Sequence, residues 1–213
     1  MGVLSDRQIR ELVSKKVLII DPFNERLLNP ATYDLTVGAR ALKSTRAESP
    51  VVNLEAERVM AIGTGEFVEV LTRERLELPL DICARFGMRS YFTRKGLIFF
   101  SGPQVDPGFK GNLVISLFNT GPRPIVLKYG DDFCSIEFTR MEEPSEKGYS
   151  GPYQGLSDFP SDNIEFIMGA KGITLYEVVD VMKALKSDVK WMKYLLGLIL
   201  AGIVAEILSR FFR

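Results

Sequence analysis

Histidine is absent from all 213 residues. With it go the commonest metal ligand and the commonest general base at neutral pH, so neither a zinc-activated water nor a Ser-His-Asp triad is expected. Cysteine is scarce. Cys83 and Cys134 have no paired spacing, and with no secretory signal at the start they read as buried thiols of an intracellular protein rather than as a disulfide. A net charge of either sign is also lacking, since 27 basic residues balance 27 acidic ones, so no global field favours nucleic acid and any anion must be held by a local cluster. What remains for chemistry is carboxylates, hydroxyls, Lys, Arg and backbone groups, with magnesium brought in on phosphates. Internal repeats and low-complexity tracts are missing too.

The length suits one core of about 150 residues with an appendage. Ser5-Asp6 reads as a helix cap before Ile9, Leu12 and Val13 at helical spacing, and an extended stretch follows. From Thr32 to Phe138 the chain offers short alternating apolar runs, "FVEVLT", "DICARFGM", "LIFFSG", "NLVISLFN", "PIVLKYG" and "FCSIEFTR", punctuated by Gly, Pro and Asp. Such a series predicts a mainly β fold, a barrel or sandwich. Three regions result: a β domain over 1–143, a Gly/Pro-rich segment over 144–170 whose composition predicts mobility, and a helical tail over 171–213. In the tail, Tyr194 to Ala205 is an unbroken apolar and small-residue run. Extended to Phe212 it approaches the roughly 20 residues that span a bilayer. Lys183, Lys186, Lys190 and Lys193 precede it, Glu206 interrupts it, and Gly197, Ala201 and Ala205 form a small-residue stripe. The tail thus reads either as a membrane anchor or as a helix buried within an oligomer.

Four motifs occur in order: "NPATYDLTVG" (29–38), "MRSYFTRKGL" (88–97), "VDPGFKG" (105–111) and "GDDFCSIEF" (130–138). With "LSDRQIRE" near the start and "GPYQG" later, they resemble the dCTP deaminase branch of the trimeric dUTPase superfamily over about residues 3 to 158. That resemblance implies a distorted β-barrel with a short N-terminal helix, a homotrimer with sites between subunits, and a C-terminal segment closing over the nucleotide. It implies Arg89, Ser90 and Arg94 as the triphosphate-binding element, residue types that suit phosphate oxygens. Asp106 matches the aspartate beside the deoxyribose, which in dUTPases orients the attacking water. Val105, Tyr153 and Gln154 are implied as further substrate contacts, Asp34 as a residue near the trimer interface, and Mg²⁺ as a companion of the triphosphate.

The departures bear on function. Where deaminases of the family carry a proton-shuttling Glu, this chain has Ser116, whose hydroxyl is far too weak an acid or base for that work. Tyr91 replaces a Ser of the phosphate element, Ser135 replaces a Gln, and Pro152-Tyr153-Gln154-Gly155-Leu156 stands for Lys-Tyr-Gln-Gly-Gln. Lys95, Lys110 and Lys147 are the cations available to compensate. Three functions follow. The first and preferred is a dUTP diphosphatase, which needs no Glu at 116. The second is a dCTP deaminase with another shuttle, such as Glu137 or a residue of a neighbouring subunit. The third is a non-catalytic nucleotide-binding or structural trimer. The expected location is the cytoplasm, with the tail as a candidate tether to the inner face of the membrane.

Overall fold

The computed structural model describes residues 2–46, 49–168 and 175–212. The chain divides into two compact units, Met1–Gly172 and Ile173–Arg213. The expected boundary between segment and tail, at 170/171, lies outside the described residues.

The first unit opens with strand β1 (Gly2–Val3) and helix α1 (Asp6–Ser14). Ser5 caps α1 as expected, in a reciprocal pair in which the Gln8 N–H bonds the Ser5 hydroxyl and the Gln8 carboxamide accepts from the Ser5 N–H. Ile9 of α1 is fully buried. There follow β2 (Ile19–Asp21), β3 (Tyr33–Lys43), β4 (Val51–Asn53), a short helix α2 (Leu54–Glu57), β5 (Val59–Ile62) and β6 (Phe67–Glu77). Next come β7 (Ile82–Met88), a second short helix α3 (Ser90–Thr93), β8 (Leu97–Phe99), β9 (Gln104–Val105), β10 (Lys110–Asn119), β11 (Ile125–Lys128) and β12 (Asp132–Arg140). Helix α4 (Ser161–Met168) closes the unit.

Among the described residues the strands form a ten-stranded sheet with the path β8-β10-β6-β3-β12-β7-β9, to which β1, β2 and β4 add at β12, β6 and β3. Strands β11 and β5 pair separately. The fold is thus mainly β, a large sheet curled into a half-barrel, the distorted barrel expected from the motifs. Strict alternation makes this possible. On β10, Leu113, Ile115 and Leu117 are buried while Asn112, Val114, Ser116 and Phe118 are half-exposed. The inward residues join Leu35, Val37, Val68, Val70, Phe133 and Phe138 in one core. Neither thiol is in a disulfide: Cys134 is fully buried, which pushes its pKa up, whereas Cys83 is only half-buried and departs from the expectation of two buried thiols.

Leu156 and Ile164 pack with Leu42, Leu71, Phe159 and Ile167 in a second apolar cluster, which puts α4 against the sheet. Pro160 and Ser161 mark its start, and its apolar residues carry it inward; composition alone hid both. Among the described residues the second unit is one helix, α5 (Leu175–Phe211). Its apolar side chains are exposed all round, Trp191, Leu195, Ile199, Leu200, Val204 and Leu208 among them. An i,i+4 pair of Arg210 with Glu206, at 2.6 Å, neutralises the carboxylate that interrupts the run.

Buried between β3 and β6, Glu74 accepts from the Thr36 N–H and the Thr36 hydroxyl, each at 2.7 Å. Burial raises its pKa above the ordinary 4.5, against those hydrogen bonds, which lower it. The folded chain therefore keeps this proton at pH values where the unfolded chain has released it. The stability it contributes is present below the unfolded pKa and is lost as pH rises through the folded one. Urea unfolding of the wild type and Glu74→Gln should show the wild type losing ground relative to the variant between pH 4 and pH 7.5. A constant difference would contradict this assignment.

Candidate functional site

A cavity of about 250 Å³ opens beside the β10–β6 pair. Its wall is set by register: Ser116 lies directly opposite Glu69, and the Ser116 hydroxyl donates to Glu69 Oε1 at 3.2 Å. Because Val68 and Val70 turn into the core, Glu69 between them must face the other way. The Asn163 amide of α4 donates to Glu69 Oε2 at 2.7 Å. Above Ser116, its own N–H donates to the Ser101 hydroxyl at 2.8 Å.

The rim is the turn Asp106-Pro107-Gly108-Phe109, closed by a hydrogen bond from the Phe109 N–H to the Asp106 carbonyl. Gly108 has φ +78°, and a Cβ there would lie 2.7 Å from the Cα of Gly148. Asp106 is exposed and Val105 is buried beneath it. Over this turn lies the Pro/Gly segment. Tyr149 meets Phe109 edge to face at 5.6 Å, and its N–H donates to the Pro107 carbonyl at 2.8 Å. Tyr153 and Leu156 complete the cavity lining. Gly111, at φ +139°, lets the chain of Leu156 come so close that a Cβ would meet its backbone N and O at 2.8 Å.

Gln154 acts as the clasp. Its carbonyl oxygen accepts from the Lys110 N–H and its amide donates to the Gly108 carbonyl, both at 2.9 Å. Lys110 itself pairs with Glu77 at 3.3 Å.

The other expected residues sit elsewhere in the same chain. Arg89 precedes α3, Ser90 begins it and Arg94 follows it. Arg89 lines a separate cavity of about 470 Å³ with Tyr91, Lys95 and Lys128, and Ser90 and Arg94 are exposed nearby in sequence. The Arg89 guanidinium is paired with Asp132 and lies 3.5 Å from Asp34, to which the Ser135 hydroxyl also donates. Lys95 lies over the Tyr91 ring at 3.7 Å. Asp106, Val105, Tyr153 and the Gln154 clasp therefore gather at one cavity, and Arg89 lines another. Glu137, considered from sequence as a shuttle, stands on β12 opposite Arg85 and does not line the Asp106 cavity.

The sheet and its cavity define a class. The crystal structure of a 2'-deoxycytidine 5'-triphosphate deaminase from Agrobacterium tumefaciens has the same fold, with TM-score 0.55 at 22% identity over 64% of this chain and 47% of that one. The family profile "dCTP deaminase-like" matches residues 3–141. A Thermococcus sibiricus protein named dCTP deaminase is 40% identical over 153 residues, 72% of this chain and 92% of its own length. A Persephonella marina protein named dCTP deaminase, dUMP-forming, is 33% identical over 165 residues, again 72% and 92%. The chain belongs to the dCTP deaminase-like family.

Sequence reasoning missed Glu69 and Asn163. Glu69 had a signal: a carboxylate at an outward position of "FVEVLT". Only its strand partner revealed where it points.

Replacing Gln154 by Leu removes both clasp bonds, each worth about 1 kcal/mol. Amide exchange at Lys110 should accelerate by about fivefold or more, since about 1 kcal/mol corresponds to that factor. Unchanged protection would show that the segment is held by its apolar contacts alone.

Proposed function

We propose that this chain acts on a deoxypyrimidine nucleoside triphosphate and hydrolyses the C4 amine of dCTP. The observation that carries this reading is the cavity itself, with one carboxylate on its rim at Asp106 and a second on its wall at Glu69. Its 250 Å³ lies just below the range of small-ligand sites, about 300–1,000 Å³. That suits a nucleoside with its phosphates outside. The relatives named for dCTP deamination support the reaction over simple dUTP hydrolysis.

Asp106 then faces the sugar, Val105 and Tyr153 pack beside the nucleoside, and Gln154 holds the cover in place. Arg89, Ser90 and Arg94 bind the triphosphate. Because they lie apart from the Asp106 cavity in one chain, the complete site forms where subunits of a homotrimer meet. Arg89 must exchange its carboxylate partners for phosphate oxygens, which favour the same bidentate geometry. Among the described residues no cluster of three or more His, Cys, Asp or Glu could hold a metal ion. Mg²⁺ keeps several waters and needs one or two carboxylates plus phosphate oxygens, so it fits as a companion of the bound triphosphate.

The dUTP diphosphatase reading, preferred from sequence, stands second. It rests on the exposed Asp106 carboxylate, free to orient a water toward the α-phosphate, and on a relative whose name includes dUMP formation. Incubation with dCTP and with dUTP separately distinguishes the two. The expected product of dCTP is dUTP or dUMP with ammonia. Conversion of dUTP to dUMP with dCTP untouched would reverse the order of the readings, and no product from either would leave a non-catalytic trimer.

In this reading the second unit is a lipid anchor for an otherwise cytoplasmic barrel. The helix from Glu177 to Arg210 is long and apolar enough to cross a bilayer, with mean hydropathy 1.8 over an 18-residue window. At about 1.5 Å per residue, Tyr194 to Phe211 covers about 27 Å, close to the roughly 30 Å hydrocarbon core. Trp191 and Tyr194 stand at one end, where aromatic rings favour the interface, and the lysines before them suit an anionic surface. The full-length chain should pellet with membranes, resist high salt and be released by detergent. Recovery as a soluble trimer without detergent would show instead that the helix is covered by other copies of the chain.

A further inference from the structure

From the register of the β10–β6 pair we infer that Glu69 is the proton-carrying catalytic residue of this chain, supplied across the strand pair from the position where Ser116 stands. The inference rests on the deaminase reading. Proton transfer in a hydrolytic deamination needs a group with a carboxylate's basicity within hydrogen-bond reach of C4 and N3, and the Ser116 hydroxyl is not one. Glu69 is its direct neighbour, on the cavity wall, at 3.2 Å.

Three features set this carboxylate apart from a solvated strand-face residue. Each oxygen accepts one hydrogen bond, Oε1 from Ser116 and Oε2 from Asn163 at 2.7 Å, so its plane is held while each oxygen keeps a second lone pair for the cavity. Among the described residues no Lys or Arg forms an ion pair with it, whereas Glu77, at the far end of the same strand, is paired twice. Asn163 reaches it from α4, whose Ile167 is buried against the sheet, so the segment after the closing loop positions the group.

The step balances with water as co-reactant. The water oxygen bonds to C4 while the C4=N3 π pair moves to N3. Glu69 takes the water proton and delivers it to N3. It then takes the remaining hydroxyl proton and gives it to the amine, the C4–N bond breaks with its pair on nitrogen, and C4=O forms as ammonia leaves. The carboxylate ends as it began. Ser116 donates to the charged form, and Asn163 is a positioning residue.

The test uses the full chain, dCTP turnover, and calorimetric binding of a dCTP analogue that cannot be deaminated. Glu69→Gln should lower deamination by about 10²- to 10⁴-fold, the usual contribution of such a group, with analogue affinity within about threefold. The double variant Glu69→Ser with Ser116→Glu returns the carboxylate to the opposite strand and should recover most of that loss, which a structural role would not allow. Asn163→Ala should lower kcat while leaving KM little changed, because the carboxylate loses the donor that holds its plane. Full turnover in Glu69→Gln would overturn the inference and leave the deaminase reading intact. Loss of analogue binding in that variant, or a double variant that folds and binds but stays inactive, would overturn it in the same way. Wild-type chain that binds the analogue but releases no ammonia would overturn the reading itself.

Discussion

Strand β6 is the constraint on which the rest of this molecule depends. It hydrogen-bonds to β10, β3 and β2, so its register sets the faces of three neighbours at once. Val68 and Val70 must enter the core, and a strand has a period of two. Glu69 therefore cannot be buried with them. A slip of one residue would put a carboxylate into the barrel and two valines into water, at a cost of several kcal/mol from lost apolar burial and charge desolvation. The position of the wall carboxylate is thus a consequence of packing on the opposite face.

The same economy of geometry shapes the cover of the site. The Asp106 turn is held by its own backbone and by the segment that follows the barrel, through Tyr149 on Phe109 and the Gln154 clasp. Two glycines, at 108 and 111, allow that approach, because a side chain at either would collide with backbone rather than with a movable tip. Backbone satisfaction and closure of the cavity are in this way one set of contacts. Leu156 extends the set into the small cluster that also seats α4.

Charge is distributed differently. Two acidic residues, Asp132 and Asp34, already engage the Arg89 guanidinium. Such pairing fixes the guanidinium in place within a chain that has no net charge. At the Glu69 wall the donors are neutral, from Ser116 and Asn163, and among the described residues no ion pair involves Glu69. The two cavities thus differ in electrostatics, one lined by an ion-paired guanidinium and the other by a carboxylate held by neutral donors.

Much of this was legible in the sequence, and for local reasons. Alternation marked β6, β7, β10 and β12, the Ser5 cap marked α1, and the Asp-Pro-Gly turn announced Asp106, because each signal lies within a few residues of what it specifies. An unbroken apolar run likewise marked α5. Other features needed partners distant in the chain. Composition gave no sign of the contacts of Gln154, Leu156 and Ile167, which form only on the folded sheet. The pairing of Ser116 with Glu69 was hidden for the same reason: Glu69 lies 47 residues earlier in the chain, and nothing in the linear order ties the two. Only β-pairing, a long-range hydrogen-bond register, decides that the two side chains share one wall.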